Sequence, residues 1–119
     1  MNYFNYVYFE YFIVKPVINK DNFITLKKFK KGMELKCELS TKAFPQAKIS
    51  WDSCVCEENC SNCENIQWPE LKYKINSTTF TIDKMTSDRV IYRCRAKNRV
   101  GCDEHKWILF RDTGRLRMF

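Results

Sequence analysis

Val90-Ile91-Tyr92-Arg93-Cys94-Arg95-Ala96-Lys97-Asn98-Arg99-Val100-Gly101 is the stretch from which the fold is read. In an extended chain successive side chains point to opposite faces. Val90, Tyr92, Cys94 and Ala96 therefore share one face, and Arg93, Arg95 and Lys97 share the other. The pattern predicts a half-buried strand with an inward cysteine at its middle. Working outward, Met33, Leu35, Cys37 and Leu39 alternate with Glu34, Lys36, Glu38 and Ser40, which predicts a second strand with an inward cysteine. Ala47, Ile49 and Trp51 alternate with Lys48 and Ser50, and Leu71, Tyr73 and Ile75 alternate with Lys72 and Lys74. Phe80 and Ile82 form a short inward pair, and residues 106–110 read as the last strand. Residues 12–18 read as a first edge strand interrupted at Pro16, where proline is tolerated because one side of an edge strand need not donate. Residues 23–26 read as its second half, and the polar, aperiodic residues 52–65 as a loop.

Many short alternating strands and no helical pattern predict an all-β fold, a two-sheet antiparallel sandwich of Greek-key type. The chain has 119 residues, the size of one domain. Its aromatic residues, nine Phe, six Tyr and three Trp, suit pleated surfaces. Two sheets packed face to face would bring Cys37 and Cys94 together across the core, with Trp51 against the bridge. Tyr92 would then turn its hydroxyl back toward the backbone. A loop this long makes such a bridge worth about 4 kcal/mol in the chain-entropy model.

From about residue 15 to residue 109 the sequence resembles the immunoglobulin superfamily, intermediate set. The resemblance is carried by Cys37, by Pro45 ahead of Ile49-Ser50-Trp51, by Phe80-Thr81-Ile82, by Asp88, and by Tyr92-x-Cys94-x-Ala96-x-Asn98-x-x-Gly101. Val90 departs from it, standing where the family usually has Gly or Ala. The resemblance implies an immunoglobulin-like domain over residues 15–111, with an N-terminal extension (1–14) and a C-terminal tail (112–119). It also implies an extracellular module that recognises a protein ligand or a sister receptor and is itself no enzyme.

Seven cysteines in so short a chain point to an oxidising compartment. Cys54, Cys56, Cys60 and Cys63 crowd the loop after the Trp51 strand, and Cys102 opens the last hairpin arm. In an immunoglobulin sandwich a second bridge from Cys102 to one of these four is geometrically reasonable, the partner being left open, and a local bridge could join two of the remaining three, leaving one thiol over. A similar order occurs in membrane-proximal immunoglobulin domains of the vascular endothelial and platelet-derived growth factor receptor tyrosine kinases. There too a cysteine follows the Trp strand and another lies near the last strand. Here Cys54 or its neighbours, Trp68, the Asn76 sequon and Cys102 stand in that sequence. This resemblance implies a receptor parent with a kinase domain elsewhere in its chain. An adhesive or secreted immunoglobulin protein is the alternative. Four thiolates within ten residues, C-x-C-x₃-C-x₂-C, could also hold tetrahedral zinc. Zinc sites usually place Cys pairs on two separate knuckles, so no metal and no other cofactor is expected.

Asn76-Ser77-Thr78 and Asn59-Cys60-Ser61 are N-glycosylation acceptors, Asn76 the better placed because Cys60 can be bridged. Arg93, Arg95, Lys97 and Arg99 form an outward basic stripe, and Lys27, Lys28, Lys30 and Lys31 a second cluster. With a net charge of +7, such faces suit a sulfated glycosaminoglycan, although a solvated strand face is the commoner meaning. No motif supports nucleic-acid binding. Residues 1–14 are too short and too polar at Glu10 to span a bilayer, so membrane attachment is expected only through a parent chain. His105 is expected at the surface, and a strand would point it away from Cys102, which leaves no catalytic dyad.

Overall fold

The computed structural model describes residues 13–69, 71 and 76–111. Its strands are β1 (Val17–Ile18), β2 (Ile24–Lys28), β3 (Met33–Lys36), β4 (Leu39–Thr41), β5 (Lys48–Val55), β6 (Thr79–Ile82), β7 (Arg89–Lys97) and β8 (Cys102–Phe110). One layer is a four-stranded sheet in the order β2-β8-β7-β5. The pairs β3-β6 and β1-β4 face it as the other layer. All pairings are antiparallel except β2 with β8.

The core lies where the predicted alternation put it. Leu35, Phe80, Ile82 and Ile18 from the small pairs meet Ile49, Trp51, Val90, Tyr92, Ala96, Trp107 and Leu109 from the large sheet. Cys37 and Cys94 are joined across this core, with Cα atoms 6.4 Å apart. Trp51 sits directly beside Cys94 in the register, stacks on Trp107 at 5.5 Å and meets Phe80 at 5.4 Å. Its indole N–H donates to the Ser77 carbonyl at 2.7 Å, so a buried polar atom is satisfied.

Asn98 closes the β7–β8 turn. Its Oδ1 accepts from the N–H groups of Val100 and Gly101, and its Nδ2 donates to the carbonyls of Val14 and Pro45. One side chain thus fixes both a hairpin and the incoming N-terminal segment. Gly101 admits that segment: a Cβ there would lie 3.2 Å from the Cβ of Lys15.

Four strand boundaries differ from expectation. The strand predicted through Met33 to Leu39 breaks at Cys37 and Glu38, where the Cys37 N–H turns to the Thr78 carbonyl. The Trp51 strand continues to Val55, through residues expected to be loop, because Asp52, Ser53, Cys54 and Val55 keep their pairing with β7. The last strand starts four residues early, at Cys102. Residues 24–28 do not extend β1; they cross to the other layer and pair in parallel with β8. The strand expected at Leu71, Tyr73 and Ile75 lies outside the described residues except for Leu71, whose N–H donates to the Trp51 carbonyl.

Candidate recognition surface

The register fixes what the outer face of the four-stranded sheet presents. Leu26, Ile108, Ile91 and Cys54 form an apolar row across all four strands. The next row is Ile24, Lys106, Arg93 and Asp52, followed by Glu104, Arg95 and Ser50, and then by Cys102, Lys97 and Lys48. An apolar row on the outside of a sheet costs free energy unless something covers it.

The segment after β5 covers half of it. Cys54 at the end of β5 is bridged to Cys63, with Cα atoms 6.0 Å apart, and Cys56 is bridged to Cys60 at 4.3 Å. A 3-10 turn at Ser61–Cys63 carries Cys63 inward. Asn62 braces this turn, donating to the Val55 carbonyl at 2.8 Å and accepting from the Glu57 N–H at 3.0 Å. Trp68 then folds back onto the sheet, 6% exposed, with its indole N–H donating to the Cys63 carbonyl at 2.9 Å. Cys54, Cys56, Cys63, Trp68 and Ile91 make a second apolar cluster on the outside of the sandwich.

Beneath Trp68 lies an ion pair. Arg93 is 8% exposed and its Nε donates to Asp52 Oδ1 at 2.8 Å, its NH2 to Oδ2. The guanidinium lies 4.0 Å from the Trp68 ring centroid, and Lys106 Nζ 5.7 Å from it. A planar guanidinium can serve a carboxylate with its edge and an aromatic ring with its face at the same time.

The other half of the apolar row stays open. Ile24 and Leu26 on the edge strand β2 are 52% and 66% exposed, and Ile66 in the stapled segment is 55% exposed. Between them runs a hollow lined by Ile24, Ile66, Trp68, Ile108 and Lys106. Among the described residues, the far edge of β2 pairs with no strand. The result is a hollow of mixed lining, with Asn59, Glu64 and Asn65 facing it as well as Ile24, Ile66 and Ile108, beside an edge strand and held by a segment with two covalent staples.

Several expected site residues stand elsewhere. Cys102 is not bridged to the cysteine-rich segment; it is a free, exposed thiol. Cys54 aligns through Ile91 with Ile108 on β8, and Cys102 lies six positions further along that strand, roughly 20 Å away at ~3.4 Å per residue. The two sites are at opposite ends of the sheet with β7 between them, and the four loop cysteines satisfy one another instead. The same pairing leaves no thiolates for zinc, and no metal-binding group of side chains occurs among the described residues.

The basic stripe is divided as well. Arg93 points outward from the sheet but is buried under Trp68, so it presents no charge to solvent. Arg95 pairs with Glu104 at 3.3 Å, while Lys97 and Arg99 are exposed. Asn76 and Asn59 are both exposed. Asn76 has φ 62 and its Oδ1 accepts from the Ile49 N–H, while Asn59 Oδ1 accepts from the Ser61 N–H beside bridged Cys60. Tyr92 is buried against Phe80, at 5.4 Å.

His105 is buried, not at the surface, because the β2 crossing covers it. It stacks on Trp107 at 4.0 Å and its Nε2 lies 3.0 Å from Thr25 Oγ1. Burial, reinforced by the charge of Lys20 and opposed by Asp103, holds its pKa below the ordinary 6.5. Asp103 accepts from the Ile18 N–H at 2.7 Å and from Lys20 Nζ at 2.6 Å. Burial would raise its pKa, but the hydrogen bonds from Lys20 and Ile18, the charge of Lys20 and the Glu104 N–H outweigh this and hold it below 3.8. These groups tie β1 and β2 to β8.

The residues that line the hollow were missed by sequence reasoning. Ile24 and Leu26 read as a strand but gave no sign of which face they would occupy. Ile66 and Trp68 lie in a polar segment, and the one available signal was an isolated Ile-x-Trp amid Asn and Glu.

Residues 22–110 match the family model described as the immunoglobulin I-set domain. Similar solved structures are crystal structures of the N-terminal four Ig domains of Dscam1. Isoform 4.44 is 20% identical with a TM-score of 0.58, isoform 7.44 is 20% identical with 0.58, and isoform 1.9 is 17% identical with 0.56. Each alignment covers 82% of this chain, which spans about a quarter of the other (24%, 25% and 24%, respectively). At such identities the likeness carries the fold alone. No curated protein sequence matches the chain.

Proposed function

Since the chain belongs to the immunoglobulin I-set family, we propose that it is an extracellular recognition module of a cell-surface protein. It meets a protein partner with the outer face of the four-stranded sheet. The observation that carries this is the exposed apolar surface on the open half of the outer face: Ile24 and Ile66 at one hollow, with Leu26 next to Ile24 on the edge strand β2. Exposed apolar surface of this kind suits protein contact. A site held by disulfides also loses little freedom when a partner binds, because its ordering cost is already met in the folded domain. Three bridges in so small a domain support an extracellular setting, since the cytosol keeps thiols reduced.

The parent we favour is a receptor. Its narrower form, a growth-factor receptor tyrosine kinase, rests on the order of Cys54 or its neighbours, Trp68, the Asn76 sequon and Cys102, and the free Cys102 lends it no added support. An adhesive protein without signalling would use the same surface, and the sequence flanking this domain in its parent separates the two. The recognition surface is tested with the secreted, oxidised domain made into a fluorescent tetramer and applied to cells. Ile24→Asp combined with Leu26→Asp should abolish staining while the melting temperature stays within a few degrees of wild type. Undiminished staining by a folded double variant would place the contact elsewhere.

A further inference from the structure

At the opposite end of the same sheet, Lys48 and Lys97 are direct cross-strand partners. Like charges placed so are mutually destabilising. Lys48, Lys97 and Arg99, with Ser50 and Asn98, line a shallow hollow that no carboxylate enters. Lys15 joins them, because its side chain packs against Gly101 next to the same turn. All four cations are exposed, and among the described residues none of them meets a carboxylate. The nearby carboxylates are already engaged: Glu104 by Arg95 and Asp103 by Lys20. The turn is rigid, since Asn98 bonds both to its own hairpin and to the N-terminal segment.

We propose that this corner, formed by Lys15, Lys48, Lys97 and Arg99, is a binding site for a sulfated polysaccharide. A linear polyanion repeats its charge along its length, and these cations are spread over two strands, a turn and the incoming segment. A single small anion would leave most of them unmatched. Bound sulfate groups would also relieve the repulsion between Lys48 and Lys97. The choice of a sulfated sugar over a nucleic acid rests on the extracellular setting proposed above, and the site is separate from the hollow at Ile24 and Ile66, with Glu104 and Arg95 between them.

The test is binding of the intact oxidised chain to immobilised heparin and to a size-defined heparin oligosaccharide in solution. The wild type should be retained at about 0.15 M salt and released as salt rises, because screening weakens exposed charge contacts. Lys48→Ser with Lys97→Ser and Arg99→Ser should weaken oligosaccharide binding about tenfold or more. A comparator, Lys27→Ser with Lys30→Ser and Lys31→Ser, removes the same charge from the far end and should bind nearly as wild type does. Melting curves confirm that both variants are folded, and the Ile24→Asp, Leu26→Asp variant should keep its heparin affinity. Equal losses in the two triple variants would show that net charge alone is at work and overturn the site. So would failure of the wild type to bind, or competition by desulfated oligosaccharide or by single-stranded DNA as strong as that by the sulfated sugar.

Discussion

Arg93 carries a full charge yet is buried on the outer face of the large sheet. Alternation placed it correctly on the outer face of β7, but the outer face here is not solvent. Trp68 closes over it and Asp52 takes its guanidinium. Breaking a buried pair by removing one partner leaves the other charge desolvated and unmatched. Asp52→Ala should therefore cost about 3 kcal/mol in denaturant unfolding, while Arg95→Ala, whose pair is exposed, should cost under ~1 kcal/mol. His105 makes a pH prediction of definite sign. Its folded pKa lies below the ordinary 6.5, so as pH falls through 6.5 the unfolded chain takes up a proton that the folded chain refuses. Stability is then lost progressively from pH 6.5 down to the folded value. Asp103, also held low, adds a separate loss as pH falls below 3.8. Melting temperatures between pH 7.5 and 4.5 should decline, and His105→Gln should flatten the upper part of that decline.

Among the elements, the stapled segment after β5 is the one that sequence periodicity could not resolve. Its cysteines announced covalent structure, but pairing depends on which positions the sheet register brings close, and register is a property of the assembled strands. Once β5 runs on to Val55, Cys54 sits over the apolar row and Cys63 is its near neighbour. Cys102, by contrast, is placed at the far end by the full length of β8. The Cys54–Cys63 bridge spans a separation of nine residues, which in the chain-entropy model is worth about 2.5 kcal/mol. Replacing both by Ser should lower stability by that order and shift Trp fluorescence to the red as Trp68 leaves the sheet. The Cys56–Cys60 bridge closes a tighter loop and leaves Cys63, whose carbonyl holds the Trp68 indole, still tied to Cys54, so Cys56→Ser with Cys60→Ser should change the spectrum less. The β2 crossing was equally hidden: its residues read as strand, but nothing in them specifies the sheet they join.

For the whole molecule, the sandwich was legible because its determinants are local and periodic. Inward Leu35, Cys37, Trp51, Tyr92 and Cys94 each sit at a position set by strand alternation, and the family resemblance rests in part on Cys37, Trp51, Tyr92 and Cys94. The proposed recognition surface was not legible, because it lies where an edge strand, a sheet face and a folded-back segment meet. What unites both levels is the pattern of sulfur bonding, which fixes the core, holds the segment on the sheet and leaves one thiol over. Peptide mapping of the natively expressed protein under non-reducing conditions, after alkylation of free thiols, reads this pattern directly. We expect Cys37 linked to Cys94, Cys54 to Cys63 and Cys56 to Cys60, with the alkyl label on Cys102 alone. Label on all seven cysteines, or Cys102 linked into the 54–63 segment, would contradict the account.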